Sequence, residues 1–188
     1  VVWVPVLIAL SFGLLTAAVL AFPFGPGSAE PAAGGAGNPS AFFAKYPRFG
    51  LLLVGAALLY TGHMTLNSYL FQIVQSKGGG SAEMGAATAL SAFWELPTMF
   101  LFSWMVQKVR CDVWMRVSGF FFLLKAGFSW LAPNVAVFYA VQVFQMLGWG
   151  LISVASVYYI NAVMEAEDAI KGQADFTMTF TLGSVLGA

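Results

Sequence analysis

The sequence predicts an all-α integral membrane protein folded as a multi-helix bundle, and three observations carry that reading. Of the 188 residues, 60% are hydrophobic and only 9% are charged. A soluble domain is about a quarter charged, so too few charges remain here to cover a water-facing surface. Six apolar stretches are on the scale of the roughly 20 residues that a helix needs to cross a bilayer. Strict two-residue alternation is absent and the stretches are too long for barrel strands. Backbone polar groups in lipid must also be satisfied within a segment, which calls for helix.

The first stretch, 1–22, has no starting Met, no basic leader and no convincing small-residue cleavage site, so it reads as a span and not a secretory signal. Residues 23–48 follow, rich in Gly and Pro (Gly25, Pro26, Gly27, Pro31, Gly34, Gly35, Gly37 and Pro39), the composition of a flexible linker between two helical bundles. The remaining spans are expected at about 49–75, 82–106, 113–132, 135–163 and 176–188, joined by shorter connections. The last is cut short at Ala188. A chain that begins and ends inside apolar helices is expected to be a piece of a larger bundle.

Positive charges set the orientation. Lys45 and Arg48 in the linker, Lys108, Arg110 and Arg116 around the third connection, and Lys171 in the fifth all fall on one side, against Lys77 alone on the other. The positive-inside rule puts the linker in the cytoplasm of a multi-pass protein of the cell membrane. A formal net charge of zero leaves no basic patch for nucleic acid. One cysteine (Cys111) and one histidine (His63) exclude a disulfide framework and a Cys/His metal cluster. Phosphate loops, nucleophile–base pairs and metal-ligand spacings are not visible, so neither an enzyme nor a cofactor is expected.

Fourteen of the sixteen charged residues fall in connections or near span ends. Glu95 and Lys125 do not. Each lies about 12 residues from the turn at 108–112, hence roughly 18 Å deep at 1.5 Å per residue. Ionisable groups at that depth mark functional sites by default. Consecutive antiparallel helices would bring the two charges to one level, to pair or to face one water-filled cavity. Gln142 and Gln145 lie three apart on the fifth helix, with Trp149 following at i+4 between Gly148 and Gly150, which loosen the helix there or allow close approach. Tyr60, His63 and Asn67 share a face of the second helix by i, i+3, i+7 spacing. Pro97 is placed to kink the third helix beside Glu95, and Gly183-x-x-x-Gly187 fits a small-residue packing face.

This constellation resembles the C-terminal half of the major facilitator superfamily. Glu95, a cation thirty residues later, Gln142 and Gln145 on the next helix, and Tyr158-Tyr159-Ile160 at its end carry the likeness, together with the short basic turn from Gln107 to Asp112. The branch most similar is that of the phenylpropionate permease-like proton symporters, with lactose permease more distant. Arginine is usual in that branch where Lys125 stands, and histidine is frequent where Gln145 stands. The resemblance covers about Lys45 to Ala188. It implies a carrier of six plus six helices whose N-terminal bundle is missing here, and a small-molecule substrate bound near the midplane. Glu95 would be the protonatable group, Lys125 its partner, and Gln142, Gln145, Asn67, His63, Trp149 and Tyr60 would line the path. A non-transporting membrane sensor and a structural or assembly subunit remain the alternatives.

Overall fold

The computed structural model describes residues 39–188; the expected first span and the linker up to residue 38 lie outside them. In order come α1 (Pro39–Lys45), α2 (Pro47–Ser68), α3 (Leu70–Ser76), α4 (Ser81–Lys108), α5 (Cys111–Leu131), α6 (Val135–Val141), a 3-10 turn (Gln142–Gln145), α7 (Trp149–Val163) and α8 (Ala166–Gly187). No strand occurs among the described residues.

Local chemistry accounts for the boundaries. Pro47 opens α2, where its missing N–H costs nothing. The helix expected over 49–75 is interrupted at Tyr69 (φ −102°, ψ 16°), whose N–H still reaches the Thr65 carbonyl at 3.2 Å. The turn into α4 uses Gly78 at φ 85°, a conformation that glycine adopts without strain. Glu83 then accepts the Gly80 N–H at 2.8 Å, satisfying one of the first unpaired donors of α4. Asn134 caps α6, its Oδ1 accepting from the Val137 N–H at 3.0 Å.

The connection expected over 164–175 is instead helical. α8 starts at Ala166, with Glu167 and Asp168 in its first turn where acids suit the helix dipole. Lys171 and Asp175 therefore sit on helix and not in a loop.

Among the described residues three helices are long and apolar enough to cross a membrane: Pro47–Ser68, Ser81–Lys108 and the whole arm Val135–Val163. α5 and α8 are more polar, carrying Asp112, Arg116 and Lys125, and Glu167, Asp168, Lys171 and Asp175. α4 shows Phe93, Phe100, Leu101 and Trp104 outward, Phe100 being 80% exposed. That is the surface a lipid-facing helix presents.

Two packing arrangements position the cavity. α8 lies along α2, and Gly183 and Gly187 permit the close approach. A Cβ on Gly183 would stand 2.5 Å from the Tyr60 Cβ and 2.8 Å from the Thr61 nitrogen. The arm from Gln142 to Val163 runs through the middle and packs against both α4 and α5. Leu151, Ile152 and Ala155 on it are fully buried. α4 and α5 are consecutive, yet they meet chiefly near their turn, where the Trp114 indole donates to the Met105 carbonyl at 3.3 Å.

At the same end, Asp112 accepts from Arg110 (3.0 and 3.1 Å) and from Arg116 (3.1 Å). The end of α1 is tied to the start of α8, 120 and more residues further along the chain. Lys45 donates to Glu165 and Asp168, each at 2.8 Å, and the Tyr46 hydroxyl donates to Asp168 at 2.9 Å.

Candidate functional site

The arm 135–163 does not run as one uninterrupted α-helix. It tightens to a 3-10 turn at Gln142–Gln145 and restarts at Trp149 after Gly148 (φ −83°, ψ −94°). Neighbouring hydroxyls serve carbonyls at this break. Thr98 of α4 donates to the Met146 carbonyl and Ser118 of α5 to the Gly148 carbonyl, both at 2.7 Å, the latter oxygen also accepting the Ile152 N–H at 3.2 Å. Hydroxyls from adjacent helices are the usual remedy for backbone opened at membrane depth. α4, in contrast, stays helical through Pro97. The interruption of helix beside Glu95 is in the facing arm.

Because the arm separates α4 from α5, Glu95 and Lys125 form no direct ion pair. Gln145 stands between them. Its Nε2 donates to Glu95 Oε1 at 2.9 Å, and its Oε1 accepts from Lys125 Nζ at 2.6 Å. The result is a continuous chain of carboxylate, amide and ammonium. Lys125 is only 7% exposed, so its charge is held away from bulk water. Gly150, in the first turn of α7, lies against Glu95 so closely that a Cβ there would stand 3.2 Å from the Glu95 carbonyl oxygen. The positive end of the α7 dipole thus faces the residue that carries the carboxylate.

A cavity of about 390 Å³ opens on this chain. Glu95, Lys125, Gln142, Gln145, His63, Asn67 and Trp149 all line it. His63 and Asn67, one turn apart, share a hydrogen bond of 2.9 Å between Nε2 and Nδ2. The His63 ring stacks on Trp149 (5.0 Å between centroids, 23° between planes) and meets Phe122 edge-on. An amide N–H given to Nε2 leaves the proton of a neutral imidazole on Nδ1, and Nδ1 is buried with no partner.

Gln142 is committed to the scaffold as well. Its Oε1 accepts from Ser91 at 2.7 Å and its Nε2 donates to the Phe138 carbonyl at 3.0 Å.

Tyr60 is the exception among the residues singled out from the sequence. It does not line this cavity. Its ring meets Trp149 and Phe180 edge-on at 5.7 and 5.5 Å, and it borders a separate cavity of about 230 Å³ with Ser153, Ser156 and Phe176. Three residues of helix turn the side chain by 300°, so Tyr60 points roughly 60° away from His63. That rotation directs it toward α8, with Trp149 in between.

Thr88 and Ser91 also line the cavity. They precede Glu95 by seven and four residues, a spacing that already placed them on its face. Hydroxyl residues are too common in such helices for the pattern to single them out. Thr98 and Ser118, which serve the broken arm, carried no signal, because a loosened helix at Gly148 does not say which neighbouring hydroxyls reach it. Among the described residues no three His, Cys, Asp or Glu side chains gather as a metal site would require.

Comparisons with protein-family models, with characterised proteins and with solved structures returned no match for this chain.

Proposed function

We propose that this chain is part of a secondary active transporter of the major facilitator type, moving a small polar or organic solute through the cell membrane by alternating access, with proton coupling through Glu95. The observation that carries this reading is the Glu95–Gln145–Lys125 chain, open to a cavity and held at a break in a helix long and apolar enough to span. Interrupted helices at midplane binding sites are a feature of such carriers. A carboxylate whose hydrogen bonds depend on a neighbouring amide changes its proton affinity when that amide moves. Binding and protonation are thereby linked through one side chain. On this reading the cytoplasm lies at the α1 end, where Lys45, Lys108, Arg110, Arg116 and Lys171 fall.

The test uses the full natural chain in proteoliposomes with an imposed proton gradient and a panel of labelled solutes. Glu95→Gln keeps shape and removes the titrating group. It is expected to abolish uphill accumulation while exchange of pre-loaded solute continues at saturating solute. Uphill uptake equal to that of the natural protein would remove Glu95 from the coupling mechanism.

A further inference from the structure

The class of solute follows from what Gln145 does inside the cavity, an inference that rests on the cavity being the solute site. The Gln145 side chain presents an N–H donor to Glu95 and a carbonyl oxygen to Lys125. It is a neutral group with a donor end and an acceptor end, laid between an anion and a cation. In a primary amide those two ends are separated by two bonds. A ligand with a donor and an acceptor three bonds apart spans the same gap once Gln145 swings aside.

Charge then narrows the choice. Lys125 has three N–H donors, and the one hydrogen bond it makes goes to a neutral oxygen. Its side chain is almost wholly removed from water. Glu95 Oε1 likewise receives its hydrogen bond from a neutral amide. Buried ions held by neutral partners are incompletely compensated, and hydrogen bonds between two ionised groups are about twice as strong as neutral ones. A vicinal diol would merely repeat what the amide already supplies. An anion alone leaves Glu95 facing a second negative charge, and a cation alone leaves Lys125 unsatisfied. A ligand carrying both charges answers both ions.

The rest of the lining sets the other half of the ligand. Trp149, stacked on His63, forms an apolar wall with Met64 and Leu70 beside it. We infer that the cavity takes a zwitterion, an α-amino acid with an apolar side chain. Its ammonium and carboxylate replace the Gln145 amide on Glu95 and Lys125, while its side chain packs on Trp149. Gln145 is then an internal competitor, occupying the charged pair when no ligand is present.

The experiment is equilibrium binding to the full natural chain in detergent, with L-leucine, L-methionine, L-phenylalanine, 3-phenylpropionate, phenethylamine and sorbitol as probes. At least one of the amino acids is expected to bind. L-Phenylalanine is expected to bind at least tenfold more tightly than 3-phenylpropionate, which lacks the ammonium, and than phenethylamine, which lacks the carboxylate. Glu95→Gln is expected to lose at least tenfold toward the amino acids and to keep or improve binding of 3-phenylpropionate. Gln145→Ala, folded by circular dichroism, is expected to bind the amino acids several-fold more tightly than the natural chain. Failure of all three amino acids to bind overturns the inference, as does sorbitol or either phenylalanine analogue binding as well as they do. Weaker amino-acid binding by folded Gln145→Ala overturns the role of internal competitor. Amino-acid binding without exchange across proteoliposomes would instead sink the transporter reading and leave this one standing. Exchange of a polyol alone would do the reverse.

Discussion

Replacing Gln145 by leucine tests whether the amide holds a buried ammonium and a half-buried carboxylate in place. The substitution nearly preserves volume and removes both hydrogen bonds, to Glu95 at 2.9 Å and to Lys125 at 2.6 Å. Hydrogen bonds to charged groups are each worth about 1.5–3 kcal/mol in water-soluble proteins. Polar contacts in membrane proteins measure lower, averaging about 0.6 kcal/mol with a maximum of about 1.7, because the unfolded chain in lipid also finds partners. Two such contacts at the upper membrane value give about 3 kcal/mol, and the stranded ammonium makes the upper value the appropriate one. The assay is reversible unfolding in mixed detergent micelles, followed by circular dichroism. Gln145→Leu is expected to lose about 3 kcal/mol. Changing Glu95, Gln145 and Lys125 to leucine together is expected to recover most of that loss, since no ion is then left without a partner. A loss below about 0.5 kcal/mol for the single variant would refute the reasoning. A triple variant less stable than the single one would refute it equally.

Gly183→Val places branched carbon where a Cβ alone would stand 2.5 Å from the Tyr60 Cβ. Overpacking of this kind costs about 1–3 kcal/mol, and the same unfolding assay is expected to show it, with Gly85→Val, which meets nothing within 4 Å, as the external control for space. The tie between α1 and α8 is expected to fail in acid. Lys45, chiefly, holds the Asp168 carboxyl below its usual range, helped by the Tyr46 hydroxyl. Its contribution is therefore complete above the ordinary carboxylate pKa of about 3.9 and is lost as pH falls through the lower folded value. Protection factors of amides in residues 42–48, corrected for the intrinsic pH dependence of exchange, are expected to fall as pH is taken down through that lower value, and Asp168→Asn to show the reduced protection already at pH 7.

The individual helices were legible because apolar composition and capping chemistry are local. Runs such as 82–106 and 113–132 correspond to α4 and α5 with ends moved by a residue or two. The start of α8 was missed for a physical reason. Its first turns are charged, and a charged amphipathic helix has the composition of a connection when only hydropathy is weighed. The interruption at Tyr69 and the 3-10 turn at Gln142–Gln145 were missed for another, since the residues there do not forbid helix, whereas Gly148 did mark a loosened point. The second break is stabilised by Thr98 and Ser118 from other helices, which no local pattern reveals.

The site divides in the same way. That Glu95 and Lys125 share a depth follows from counting along two helices that meet at one turn. That the two do not pair depends on a third element, the arm that passes between α4 and α5 and inserts Gln145. Tyr60, one turn from His63, was assigned to the same face, and only the packing of α8 and Trp149 shows that it serves another wall.

By itself the sequence determined that the chain forms long apolar helices and that Glu95 and Lys125 lie mid-helix, equally far from one turn, because hydropathy and helical rise belong to each segment alone. The tertiary structure decided which side chain lies between those charges and which wall each aromatic ring faces. Those outcomes depend on how helices pass one another, and helix order along the chain does not fix that.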